Sequence, residues 1–220
     1  MTRREEIAER LADVRARIAR AASHAGRDPD SITLLAVTKT KPLEDALAAY
    51  DAGVRHFGEN RVQEAEAKFP SLPGDAVRHV IGPVQSNKAN RAARVAHVVE
   101  TIDSADLARR LARAAEAESK RLSVFVEVNV GGETTKAGVL PGESPALVEA
   151  VRALPALDLR GLMTIPPPGS GRPPFERLRE LAGRLGLAEL SMGMSDDFED
   201  AIEEGSTLVR IGSAIFGPRV

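Results

Sequence analysis

Lysine is scarce in this chain: of 30 basic residues only six are Lys, at positions 39, 41, 68, 88, 120 and 136. One of them, Lys39, follows directly on the buried-strand run Ile32-Thr33-Leu34-Leu35-Ala36-Val37. A strand alternates its faces, so Leu35, Val37 and Lys39 project to one side. If that side is a barrel interior, desolvation lowers the ammonium pKa and frees the amine as a nucleophile, and Lys41 adds like-charge repulsion in the same direction. The alternative is a surface lysine whose stem covers apolar neighbours.

Two late segments offer complementary chemistry. In Ser191-Met192-Gly193-Met194-Ser195-Asp196, either Ser195 or Asp196 is placed to cap a following helix, whose free N–H groups would suit an anion. Gly212-Ser213, behind the last strand run, offers close backbone approach beside it. Plain helix capping and a plain turn are the structural alternatives. Asp196-Asp197 reads as two acids serving a helix dipole rather than as an acid/base pair. Arg210 shares a face with Leu208 and Gly212; inside a barrel it would need an acceptor, either a carboxylate such as Glu127 or a ligand atom. Weaker candidates are Asn60 and Asn87, which could bond a ligand or shape turns, and Lys136 in a Gly-rich loop, read as a solvated residue. His56, His79 and His97 lack metal-ligand spacing and read as core or interface histidines. Met163, Met192 and Met194 read as pocket lining or core filler.

These residues must be positioned by alternating elements. Ile7, Leu11, Val14 and Ile18 mark an amphipathic opening helix. Strand runs are expected at 32–37, 54–57, 77–81, 97–102, 122–130, 157–165, 189–192 and 207–211. Helices are expected at 42–52, 105–119, 144–154, 174–185 and 195–204. Eight βα units with right-handed crossovers give a parallel sheet that can close into a (β/α)8 barrel, one domain over residues 1–220. The competing open doubly wound sheet would show a Gly-rich turn after its first strand, and Thr38-Lys39-Thr40-Lys41-Pro42 stands there instead. In a barrel, strand C-termini form the reactive rim. That rim collects Lys39, Asn60, Asn87, Asp103-Ser104, Asn129, Thr164, Ser195, Arg210 and Ser213.

Composition narrows the function classes. The chain has 220 residues, 43% hydrophobic and 28% charged, enough for one sizeable core. A net charge of −2, with six Phe, one Tyr and no Trp, argues against nucleic acid as a partner. Absence of Cys excludes disulfides, thiolate metal sites and a cysteine nucleophile. No apolar run approaches a membrane span and the N-terminus carries no secretory h-region, so a cytoplasmic protein with no membrane partner is expected. The outer helices show no sustained heptad seam, which leaves the oligomeric state open, with a monomer as the default expectation.

Six ordered motifs run through the chain: Ala36-Val37-Thr38-Lys39-Thr40-Lys41-Pro42, His56-Phe57-Gly58-Glu59-Asn60, Ile81-Gly82-Pro83-Val84-Gln85-Ser86-Asn87-Lys88, Gly161-Leu162-Met163-Thr164-Ile165, Leu190 to Asp197, and Val209 to Gly217. On these the chain resembles the pyridoxal phosphate homeostasis proteins of the YggS/PROSC type. The strand-five loop departs from that pattern at Gly131-Gly132. The resemblance implies a barrel of the alanine racemase N-terminal-domain type and pyridoxal 5′-phosphate (PLP) held as a Schiff base on Lys39. It also implies phosphate contacts from Ser195, Gly212 and Ser213, Arg210 facing the pyridine nitrogen, and Asn60 lining the pocket. An arginine at that nitrogen only donates, which leaves the ring a weak electron sink. Racemases of this fold add a tyrosine base from a C-terminal domain, whereas here Val220 follows strand eight and Tyr50 sits on an outer helix. The expectation is therefore a non-catalytic carrier of PLP that serves apo PLP-dependent enzymes, with a PLP-dependent amino-acid racemase as the alternative.

Overall fold

A computed structural model describes residues 1–133 and 136–218; Thr134 and Thr135 of the strand-five loop, with Arg219 and Val220, lie outside the described residues. The chain opens with α1 (Arg3–His24), started by a capping box in which Thr2 and Glu5 bond each other's backbone N–H. Strands and helices then alternate: β1 (Thr33–Val37), α2 (Leu43–Asp51), β2 (His56–Glu59), α3 (Val62–Lys68), β3 (Val77–Val80) and α4 (Ala89–Val95). The second half continues with β4 (Val98–Ile102), α5 (Ala105–Ala117), β5 (Leu122–Glu127), α6 (Ser144–Arg152), β6 (Leu157–Met163) and α7 (Pro173–Arg184). It finishes with β7 (Glu189–Met194), α8 (Phe198–Glu203), β8 (Leu208–Ile211) and the single turn α9 (Ser213–Phe216).

All strand pairs are parallel and the sheet closes on itself, β8 pairing with β1 through Leu35↔Arg210 and Ala36↔Ile211. This excludes the open sheet. Every strand has two buried faces. Outward residues such as Ala36, Phe57, Val99, Val124 and Leu162 join the helices in one large apolar shell. Inward residues form two small clusters, Leu35, Val37, Ile81 and Leu208 on one side and Val98, Phe125 and Met163 on the other. Helix α1 buries Ile7, Leu11, Val14 and Ile18 against α2, α8 and α9, covering the outside of the β8–β1 closure. No helix among the described residues is long and apolar enough to cross a membrane.

Most boundaries shift from the sequence expectation by one to three residues, α3 and α4 are helices the periodicity did not single out, and two of the shifts have clear local reasons. The run at 54–57 becomes a strand only from His56, because the Val54 N–H is taken by the Ala49 carbonyl in the end of α2. The helix expected from Ser195 starts at Phe198, because Asp197 Oδ1 accepts from the Met194 N–H at 2.6 Å and closes a turn first.

Candidate functional site

Lys39, Asn60, Ser195, Arg210, Gly212 and Ser213 line one cavity of about 450 Å³ at the C-terminal rim of the barrel. They come from the ends of β1, β2, β7 and β8. Val37, Ile81, Ile165 and Met194 supply its apolar wall.

The Lys39 segment is held from below. The Thr38 N–H bonds the Gly58 carbonyl at 3.0 Å, carrying the β1–β2 pairing one residue past the strand. The Lys41 N–H then returns to the Thr38 carbonyl at 3.0 Å, so that half-buried Lys39 sits on a turn. In that turn Thr40 has φ 62°, a left-handed conformation that costs a non-glycine residue roughly 1–2 kcal/mol. Its N–H is bound by Glu64 Oε2 at 3.1 Å. Beneath lies a buried seat that the sequence reading did not single out. Lys68 Nζ donates to the Thr38 carbonyl at 2.7 Å and pairs with Glu59, which also accepts from Thr38 Oγ1 at 2.6 Å. Burial pushes the Glu59 carboxyl up, against the opposing bonds from Lys68 and Thr38. Just past the next strand, a Cβ at Gly82 would come 2.2 Å from the Asn60 carbonyl oxygen, so glycine there lets the Asn60 backbone lie where it does.

The last two rim segments are tied together by one hydroxyl. Ser195 Oγ accepts from the backbone N–H groups of Gly212 and Ala214, at 3.3 and 3.2 Å. Ser195 is therefore not the cap of its own helix, and neither is Asp196; Asp197 occupies the N-cap position of α8 without a capping side-chain bond. Ser195 instead gathers donors from the β8 loop. A Cβ on Gly212 would sit 3.5 Å from the Val37 Cβ and carbonyl, in ordinary contact with the strand that leads to Lys39.

Arg210 is buried in the lumen, 3% exposed. Its hydrogen bonds run to Ser191 Oγ at 2.7 Å and the Thr164 carbonyl at 2.8 Å. Glu127, the carboxylate considered as the alternative to a ligand atom, makes no hydrogen bond to it and acts on it through its charge, after that of Glu100. Burial, then the charge of Asp103, pushes the Glu127 carboxyl up to about 7, against the pull of Arg210. Glu100 is the residue the sequence reading missed. Its signal was available: an acid at an inward position of the otherwise apolar strand Val98-Val99-Glu100-Thr101-Ile102.

The remaining candidates separate from the cavity. Asn87 lies on a turn facing a groove between α4 and α5. Lys136 pairs with Glu133 at 2.8 Å. Tyr50 is on the outside, its hydroxyl bound by Asp75 and its ring under Arg55. Met163 packs in the lumen and Met192 in the shell, while Met194 reaches the cavity wall. His56 and His79 bond one another, and no group of three metal-ligating side chains occurs among the described residues. Chemically, the cavity offers a lysine amine at one side, hydroxyl and N–H donors at another, and a fixed guanidinium in the barrel lumen.

The chain is similar in sequence and fold to known proteins. The family model described as "Alanine racemase, N-terminal domain" matches residues 10–220. A "Pyridoxal phosphate homeostasis protein" from Pseudomonas aeruginosa is 50% identical over 222 residues, covering 97% of this chain and 96% of its own length. PipY of Synechococcus elongatus PCC7942, solved with PLP bound, superposes with a TM-score of 0.84 at 37% identity, covering 96% of this chain and 100% of that one. Alanine racemase of Clostridium difficile 630 shares the fold at a TM-score of 0.78 and 15% identity, with 98% of this chain and 57% of that chain covered.

Proposed function

This chain belongs to the alanine racemase N-terminal domain family and, within it, to the pyridoxal phosphate homeostasis proteins, and from that membership we propose that it binds PLP at the barrel rim. In this reading the whole of 1–220 acts as one PLP-binding domain, a cytoplasmic monomer that buffers PLP and hands it to apo-enzymes. The observation that carries it is convergence. Six residues, from Lys39 to Ser213, meet at one cavity, with amine, anion donors and guanidinium at different parts of its wall.

When bound, PLP supplies an aldehyde and an electron-withdrawing ring. Lys39 would hold it through a Schiff base, its amine joining the aldehyde carbon with loss of one water. The hydroxyls of Ser195 and Ser213 would suit the phosphate, and the N–H groups of Gly212 and Ala214, from which Ser195 Oγ accepts, would be shared with it as short donors around a dianion. Arg210, fixed by Ser191 and Thr164, would face the ring nitrogen as a donor that keeps its own proton, and would so leave that nitrogen unprotonated. The ring would then be a weaker electron sink. Among the described residues lining the cavity, Asp196 is the only carboxylate and there is no Tyr, His or Cys, which supports storage over turnover.

The test is spectroscopic. Protein mixed with PLP is expected to turn yellow and, after borohydride, to carry the cofactor irreversibly on Lys39; Lys39→Ala retains none after reduction. A chain that stays colourless with PLP refutes the reading, and deuterium exchange at the α-carbon of alanine sustained over many turnovers would replace storage by racemase chemistry.

A further inference from the structure

Five polar side chains of the lumen form one connected path. Arg210 donates to Ser191 Oγ at 2.7 Å, and Ser191 Oγ donates to Glu100 Oε2 at 2.6 Å. Glu100 Oε1 lies 2.7 Å from His79 Nδ1, and His79 Nε2 lies 3.0 Å from His56 Nδ1. The path starts at the rim cavity, crosses the barrel from β7 to β4, and ends at a second cavity of about 470 Å³ lined by His56, His79 and the first residues of several strands. It passes between the two apolar clusters of the lumen.

The chemistry along it is directional. Glu100 is fully buried, and burial alone would push its carboxyl up; the bond from His79, the charges of His79 and Arg210, and the bond from Ser191 outweigh this and hold it below the ordinary glutamate value. An ionised Glu100 accepts from both sides, so His79 presents its N–H at Nδ1. Burial, then the charge of His79, lowers His56 to about 4, which keeps it neutral near pH 7.

Glu100 and Arg210 carry opposite charges in a dry interior and yet do not touch. Direct two-point contact would be the strongest way to neutralise the pair. Interposing Ser191 instead pins one guanidinium nitrogen, while the Thr164 carbonyl pins the other at 2.8 Å. A planar fork held at both ends cannot turn, and its counter-charge stands behind it rather than across the cavity face. We propose that Glu100 and His79, acting through Ser191, are positioning residues for Arg210, setting where its guanidinium lies and how much positive charge it presents at the rim cavity.

The inference rests on PLP as the occupant, so its test has one arm with the cofactor and one without. With PLP loaded, Ser191→Ala and Glu100→Gln are expected to move the visible absorption maximum and weaken PLP binding about ten-fold. Leu111→Ala, a shell truncation that also lowers stability, is expected to leave both unchanged. In the ligand-free protein, Ser191→Ala and Arg210→Lys are expected to move the ring ¹⁵N resonances of His79. An unmoved spectrum with affinity within about two-fold, or unmoved His79 resonances in the ligand-free arm, overturns the proposal. If the wild-type chain takes up no PLP, the functional reading fails alone, and the His79 resonances still decide whether the path is connected.

Discussion

The shell outside the sheet and the lumen inside it are built on opposite terms. The shell is one continuous apolar cluster, to which every helix from α1 to α9 contributes buried side chains. The lumen holds two small apolar clusters, and between them runs a line of polar side chains from His56 to Arg210. Burying apolar area is the dominant favourable term in folding, whereas burying charge returns little net stability even when paired. The difference teaches where selection for folding ends. The shell accounts for the closed barrel, and the lumen spends part of that stability on holding a guanidinium in one orientation at the rim.

Breaking each region separately exposes the contrast. Arg210→Met is expected to destabilise the fold by about 3–5 kcal/mol, because it removes one of the two cationic partners of the buried Glu100 charge and leaves Ser191 and the Thr164 carbonyl without their donor. Phe57→Ala, in the shell, is expected to cost about as much, 3–5 kcal/mol, through lost transfer energy and a cavity. The second change separates them. Adding Glu100→Gln to Arg210→Met removes that buried charge and is expected to recover most of the loss, while no polar change elsewhere rescues Phe57→Ala. Denaturant unfolding of the three variants checks this; no recovery in the double variant would mean that the lumen contributes stability as the shell does.

The same contrast decides what the sequence could reveal. The barrel was legible because eight apolar runs recur between helical stretches, and the shell that such runs build depends only on their periodicity. The rim was legible as well. Lys39, Asn60, Ser195, Arg210, Gly212 and Ser213 each follow or end a strand run, and the fold class alone assigns those positions to one face. The connections were not. Glu100 and Ser191 are 91 residues apart and meet only because the closed sheet brings β4 and β7 across the lumen from each other. Glu127, an equally plausible acid at an inward position, was one of the two partners considered for Arg210, the other being a ligand atom. Neither acid touches Arg210; Glu100 is joined to it through Ser191, because the closed barrel brings these side chains of β4, β7 and β8 together in the lumen. Ser195 shows the same limit, since its local pattern reads as a helix cap and only the β8 loop supplies the donors it accepts.

Glu127 sharpens the comparison through pH. Its folded value of about 7 lies above the ordinary 4.5, so the folded state binds its proton more tightly than the unfolded chain does. The stabilisation from this carboxyl is therefore fully present below about pH 4.5 and lost as pH rises through about 7. Glu127→Gln removes that dependence. Relative to the variant, the wild type is expected to lose on the order of 3 kcal/mol between acid and mildly alkaline pH, at about 1.4 kcal/mol per unit. His56 runs the other way: its stabilisation is present above about 6.5 and lost as pH falls through about 4, in wild type and variant alike, so it cancels from the difference. Parallel stability profiles for the two proteins would show that Glu127 is solvated rather than held in the dry lumen.

The smallest effect is expected at a rim residue that serves the shell. Ser104 follows β4 on the same face as the cavity residues, yet its side chain accepts from the Leu107 N–H at 3.4 Å and caps α5. That helix buries Leu107, Ala108, Leu111, Ala112 and Ala115, so starting it correctly matters to packing and not to the cavity. Ser104→Ala is expected to cost about 1 kcal/mol, the usual worth of an N-cap, and Ser104→Asp to cost almost nothing, since aspartate caps as well and its charge suits a helix N-terminus. Both variants should bind PLP like the wild type. A weaker PLP complex in Ser104→Ala, with unfolding unchanged, would move Ser104 from the scaffold into the site and blur the boundary between shell and rim.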